Sequence, residues 1–246
     1  MDETRGAPEL WVYSLVQGTK QLLVSDPAPQ YPAWSPDGRS IVFSGGVKGE
    51  VDLWLVNADG SGKPKVLLRR PAFQFGPSFS PDGNWLVFTD SPTQDDGQTV
   101  VWRSNAESTP EVLDSTAGTE FEPAFSPDGQ WLAYTSFVLG KSDVYVKPFH
   151  RPGGPQVISV DGGMGPVWAR DGCHIVYQSG ARLISATVVP GQPSVVRERR
   201  ALFTRPDDLV MLGNRSYDQS PDGSRFAFVT RPGPRRIVVT LNALRR

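Results

Sequence analysis

The sequence predicts an all-β chain built from repeated small sheets, and three observations carry that prediction. First, a turn phrase recurs: Trp34-Ser35-Pro36-Asp37-Gly38, Phe79-Ser80-Pro81-Asp82-Gly83, Phe125-Ser126-Pro127-Asp128-Gly129, Trp168-Ala169-Arg170-Asp171-Gly172 and Gln219-Ser220-Pro221-Asp222-Gly223. Its aspartates lie 45, 46, 43 and 51 residues apart. Second, the segments after each phrase alternate with a period of two, and helical periodicity is absent. Third, 25 glycines and 23 prolines in 246 residues suit many tight turns and exclude a helical bundle. Four short strands per unit of about 45 residues cannot bury both faces of their sheet alone, so neighbouring units must stack. The fold expected is a β-propeller of four-stranded antiparallel blades.

The elements follow in order. After each turn runs an alternating strand: residues 40–43, 85–88, 131–134, 174–177 and 225–228. A further strand comes about ten residues later at 52–56, 100–103, 143–146, 182–185 and 236–239, and short last strands at 65–68, 111–113 and 156–158. The single-domain reading, 1–246, has units at about 32–68, 77–113, 123–159, 166–200 and 216–242. Two upstream strands, 9–13 and 21–24, read as the outer pair of a blade without its inner pair. Either they complete the last blade of a five-bladed ring, or the chain is part of a six- or seven-bladed one. Residues 196–214 read as a long insertion.

The turn phrase has a local physical cause. Proline presets φ at the first corner, the aspartate (Asp37, Asp82, Asp128, Asp171 or Asp222) caps a backbone N–H two residues on, and the glycine (Gly38, Gly83, Gly129, Gly172 or Gly223) takes positive φ. The Trp or Phe before it is expected in the layer between sheets. Five aspartates in register are read as this folding device, with no metal site and no cofactor.

Composition narrows the function. The net charge of −1 argues against a generic nucleic-acid binder, although residues 190–246 hold 11 arginines against 5 acids. No apolar run approaches the length of a membrane span, and no signal-peptide pattern opens the chain. The one cysteine, Cys173, cannot form an internal disulfide. Cys173 and His174 point to opposite faces of a strand and make no dyad. His150 falls in a turn, and Asp95-Asp96-Gly97 reads as a hairpin tip. No Gly-x-Ser-x-Gly elbow or Cys-x-x-Cys pair occurs.

The pattern aromatic-Ser-Pro-Asp-Gly, an alternating strand, then Asp52-Leu53-Trp54-Leu55-Val56-Asn57-Ala58-Asp59-Gly60 resembles the TolB-like, WD40-like (PD40) propeller repeats of bacteria, over roughly residues 8–242. Val144-Tyr145-Val146-Lys147-Pro148-Phe149, Pro166-Val167-Trp168-Ala169-Arg170-Asp171-Gly172 and Ile237-Val238-Val239-Thr240-Leu241-Asn242 resemble the extracytoplasmic propeller of some bacterial Ser/Thr protein kinases. The kinase motifs themselves are missing. The resemblance implies a non-catalytic binding or sensor module whose partner is a protein, a peptide or a small ligand. In such a fold the loops leading into the innermost strands crowd one mouth of the tunnel. Here they carry Tyr31, Gln74, Phe75, Glu120, Phe121, Glu122, Met164, Arg215 and Tyr217, a mix of aromatics and charges suited to a peptide. The alternatives are a tunnel hydrolase or lyase using carboxylates such as Glu120 and Glu122, or an inert fragment of a larger kinase-linked sensor.

Overall fold

The computed structural model describes residues 8–14, 16–46, 50–71, 73–92, 97–103, 108–113, 118–189, 196–204, 217–220, 222–228 and 238–241. They fall into two compact units, Met1–Leu113 and Asp114–Arg246. Among the described residues every regular element is a strand, and none is a helix long and apolar enough to cross a membrane.

In the first unit, β1 (Leu10–Ser14) and β2 (Thr19–Val24) form a two-stranded sheet of their own. Among the described residues β2 pairs with β1. Two four-stranded antiparallel meanders follow. One is β3 (Gln30–Trp34), β4 (Ser40–Gly45), β5 (Asp52–Asn57) and β6 (Lys65–Leu68). The other is β7 (Phe73–Phe79), β8 (Trp85–Ser91), β9 (Gln98–Arg103) and β10 (Glu111–Val112). Strand alternation assigns consecutive residues to different layers. Ile41 and Phe43 pack with Leu10, Val24 and Val56, while Val42 between them packs with Leu53, Leu86, Phe88 and Val100.

The second unit repeats the plan. β11 (Thr119–Phe125), β12 (Trp131–Val138), β13 (Lys141–Pro148) and β14 (Gln156–Val157) form one sheet. β15 (Met164–Trp168), β16 (His174–Ser179), β17 (Arg182–Val188) and β18 (Val196–Thr204) form the next, and β19 (Tyr217–Gln219), β20 (Arg225–Phe228) and β21 (Val238–Leu241) a three-stranded last. Ala133, Val144, Val146 and Ile158 of one sheet meet Ile175, Tyr177, Ala186 and Val188 of its neighbour. Val167, Val176 and Leu183 meet Tyr217, Phe226 and Phe228.

Two expectations need correction. Residues 196–204 are strand, paired with β17 from Arg182↔Thr204 to Val188↔Val196. The run Arg197-Glu198-Arg199-Arg200 hides the alternation because this outermost strand is solvated along most of its length. Trp34 is half exposed at 51%, whereas Phe125 is buried and Phe79 and Trp168 pack against core clusters. The aromatic before the turn therefore fills the inter-sheet layer in the second, third and fourth repeats but not in the first.

The turns are built as expected, with one addition. Asp37 Oδ1 accepts from Arg39 N at 3.0 Å, two residues on, and Gly38 has φ 69°. Ser35 adds a second brace: its hydroxyl donates to Asp37 at 2.6 Å and accepts from Ser40 N at 3.0 Å. Ser80 with Asp82, Ser126 with Asp128 and Ser220 with Asp222 repeat this arrangement. In the fourth repeat Ala169 has no hydroxyl, and the imidazole of His174 takes over, its Nδ1 lying 2.6 Å from Asp171 Oδ2. Asp171 Oδ1 accepts from Cys173 N and His174 N.

Candidate functional site

The innermost strand of each complete sheet carries the same irregularity. Register shifts fall between Gln30 and Ala33, Phe75 and Ser78, Phe121 and Ala124, and Met164 and Val167. Within each shift one residue has left-handed φ and a proline follows it: Tyr31 (52°), Gly76 (56°), Glu122 (56°) and Gly165 (64°). Glycine adopts this conformation freely, whereas tyrosine and glutamate adopt it at a cost that surrounding contacts must offset. Bulges of this kind re-aim side chains and recur beside functional sites.

The contacts that hold the two strained residues differ. In the first unit the Tyr31 ring meets Phe75 edge-on at 5.8 Å, and Phe75 stacks on Phe73 at 5.8 Å, so three half-buried aromatics of adjacent sheets form one cluster. In the second unit the Glu122 carboxylate accepts from Thr135 Oγ1 and from Gly165 N, both at 2.8 Å. Glu122 therefore ties β12 of its own sheet to β15 of the next. Tyr217 extends the chain of bonds by donating to Gly165 O at 2.7 Å or Val176 O at 3.1 Å.

The remaining expected mouth residues divide by burial. All of those described lie on strands and not on loop tips. Gln74 is fully buried; its amide donates to Asp90 Oδ1 at 3.0 Å, and Asp90 Oδ2 pairs with Arg70 at 2.9 Å. Gln74 N donates to Val51 O at 2.8 Å, stitching neighbouring sheets. Glu120 is likewise enclosed, and Tyr217 belongs to an apolar cluster. Phe121 and Met164 are partly exposed. Arg215 lies outside the described residues, as do Asp95 and Asp96. Burial follows from the period-two strand: residues two before the left-handed position, Gln74 and Glu120, turn into the sheet stack. The roles of Thr135, Arg70 and Asp90 depend on long-range register and leave no local pattern, although Asp90 at the polar end of the apolar strand β8 is a visible signal. Among the described residues no group of three or more His, Cys, Asp or Glu side chains is placed to hold a metal ion.

Stacked antiparallel four-stranded sheets, each entered through a bulged innermost strand, define a β-propeller, and solved structures agree. No protein-family model matches the chain. TolB from Acinetobacter baumannii superposes over 92% of the chain and 54% of its own, with a TM-score of 0.69 and 20% identity. A nidogen/laminin complex superposes over 92% and 83%, with a TM-score of 0.68 and 13% identity. An oligogalacturonate lyase from Vibrio parahaemolyticus superposes over 94% and 68%, with a TM-score of 0.62 and 12% identity. In sequence, the Tol-Pal system protein TolB of Anaeromyxobacter dehalogenans is 33% identical over 107 residues, 43% of this chain and 23% of that protein. An uncharacterized protein of Agrobacterium fabrum is 30% identical over 105 residues, 42% and 34% respectively. The chain thus matches about a third or less of the length of these relatives. Its fold is a TolB-like β-propeller.

Proposed function

We propose that the chain is a non-catalytic binding propeller that takes a protein or peptide segment on the face where the bulged innermost strands begin. The observation that carries this reading is the aromatic cluster of Tyr31, Phe73 and Phe75, half-buried and built around a non-glycine residue in left-handed conformation. Rigid aromatics that are partly exposed in the free protein are the side chains most often found to dominate protein recognition. Within the second unit by itself, Phe121 and Met164 stand partly exposed at the repeat position of Phe75. The names of the Tol-Pal relative and of the nidogen/laminin complex point the same way.

The alternative, a lyase or hydrolase, draws support from the oligogalacturonate lyase among the fold neighbours. The carboxylates here favour binding. Glu120 is enclosed, and Glu122 Oε2 is engaged by a hydroxyl and a backbone amide that hold adjacent sheets together. A peptide selected on the intact chain from a displayed library tests the proposal. Tyr31→Ala and Phe75→Ala are each expected to weaken the selected peptide at least tenfold while the thermal midpoint stays above that of a core truncation. Affinity unchanged in both variants refutes the site.

A further inference from the structure

The fourth repeat departs from the rule kept by its neighbours, and its departures converge on one place. Where Pro36, Pro81 and Pro127 open the other turns, Arg170 stands. The second strand opens on Ser40, Trp85, Trp131, His174 and Arg225 in turn, and in the fourth repeat it places an imidazole beside the turn. The position opposite the middle of that strand is Leu55, Val101 and Val146 in the first three sheets but Ser185 in the fourth. Arg170, His174 and Ser185 all line a single cavity of about 390 Å³ between the fourth and fifth repeats. Elsewhere in the second unit this sheet face is closed by apolar packing of Ala133, Val144 and Val146 on Ile175 and Tyr177. Replacing aliphatic contacts by polar groups forfeits cohesion, and a cavity of this size is within the range of small-molecule sites.

The groups around the cavity specify a ligand chemistry. Glu198 and Arg200 line it from alternate positions of β18, about 7 Å apart along one face. Arg170 and Arg200 have no carboxylate partner among the described residues. The carboxylates of Asp171 and Asp222 are engaged by their own turns. Gln219 Nε2 donates to Gly223 O at 3.1 Å, while its Oε1 is buried without a hydrogen-bond partner. The cavity lining therefore carries both guanidiniums, Arg170 and Arg200, and acceptors, Glu198 and Gln219 Oε1. We propose that it binds a small zwitterion of the dipeptide type, with the carboxylate between Arg170 and Arg200 and the ammonium on Glu198 and Gln219. Guanidinium–carboxylate bonds are the strong, directional ones, and a dipeptide presents a carboxylate and an ammonium within reach of oppositely charged groups such as Arg200 and Glu198, about 7 Å apart along β18.

Titration calorimetry on the full chain tests this with three probes: Ala-Ala, its N-acetylated form and its C-terminal amide. Saturable heat is expected from Ala-Ala, with binding at least tenfold weaker for each blocked form. Arg200→Ala, at an exposed position, and Ser185→Val, which restores the aliphatic type of the other sheets, are each expected to weaken Ala-Ala at least tenfold while the β-sheet circular dichroism is retained. The proposal is overturned by the absence of saturable heat up to about 10 mM Ala-Ala, by equal binding of the three probes, or by binding that survives both substitutions.

Discussion

In four of the turns a serine hydroxyl both donates to the turn aspartate and accepts from the amide that opens the next strand. Ser80 is buried, donates to Asp82 and accepts from Trp85 N, so its removal strands a backbone amide at the base of the turn. Ser80→Ala and Ser126→Ala are each expected to lower stability by about 1–2 kcal/mol, read from the urea midpoint. The Ser35 and Ser80 hydroxyls hold the Asp37 and Asp82 carboxyls, respectively, below the ordinary carboxylate value. For Asp171, burial pushes the pKa up, but the amides of Cys173 and His174 and the imidazole outweigh it and the net shift is downward. Carboxyls depressed by folding contribute stability at pH values above their unfolded pKa of about 4, and lose it as pH falls through the folded values. Unfolding free energy is therefore expected to be flat from neutrality to about pH 5 and to decline below about pH 4. A curve that rises on acidification contradicts this account.

At the scale of the strand, the repeated bulge is where neighbouring sheets of the second unit are bonded together through Glu122, Thr135, Gly165 and Tyr217. Tyr217 was expected at a mouth, yet its ring packs with Phe226 and Phe228 and its hydroxyl reaches the Gly165 and Val176 carbonyls. Tyr217→Phe is expected to cost about 1–2 kcal/mol in thermal unfolding and to leave peptide binding intact, which separates it from Tyr31→Ala. Much of this level was legible in advance. The turn phrase located five hairpins, and alternation such as Ile41-Val42-Phe43 located the strands between them. What alternation does not carry is the direction of a side chain after a bulge, because one extra residue inverts the in-and-out order for everything beyond it. Ahead of the bulge alternation does hold: Gln74 and Glu120 are enclosed whereas their neighbours Phe75 and Phe121 are not. A solvated outer strand such as β18 has no buried face to impose a pattern, so it reads as loop.

At the scale of the molecule, cohesion resides in the layers between sheets. Ile175 lies wholly inside the layer that joins two sheets of the second unit, whereas Val157 on an outermost strand is 48% exposed. Ile175→Ala is expected to lower stability by about 2–4 kcal/mol and Val157→Ala by less than about 1 kcal/mol, a contrast that denaturant titration resolves. One feature of the bulges reaches further. β3, β7, β11 and β15 each form an edge of their sheet, that of β7 bridged to Val51, and Pro32, Pro77, Pro123 and Pro166 sit within those edges, next to the left-handed residue. An edge interrupted by a missing amide hydrogen and a kink is a poor template for a fifth strand. A peptide arriving at these edges is denied main-chain pairing, the usual sequence-blind route to capture. On the binding reading proposed above, selection of a peptide falls to side chains, and discrimination is expected to be written in aromatic and charged residues and not in the backbone.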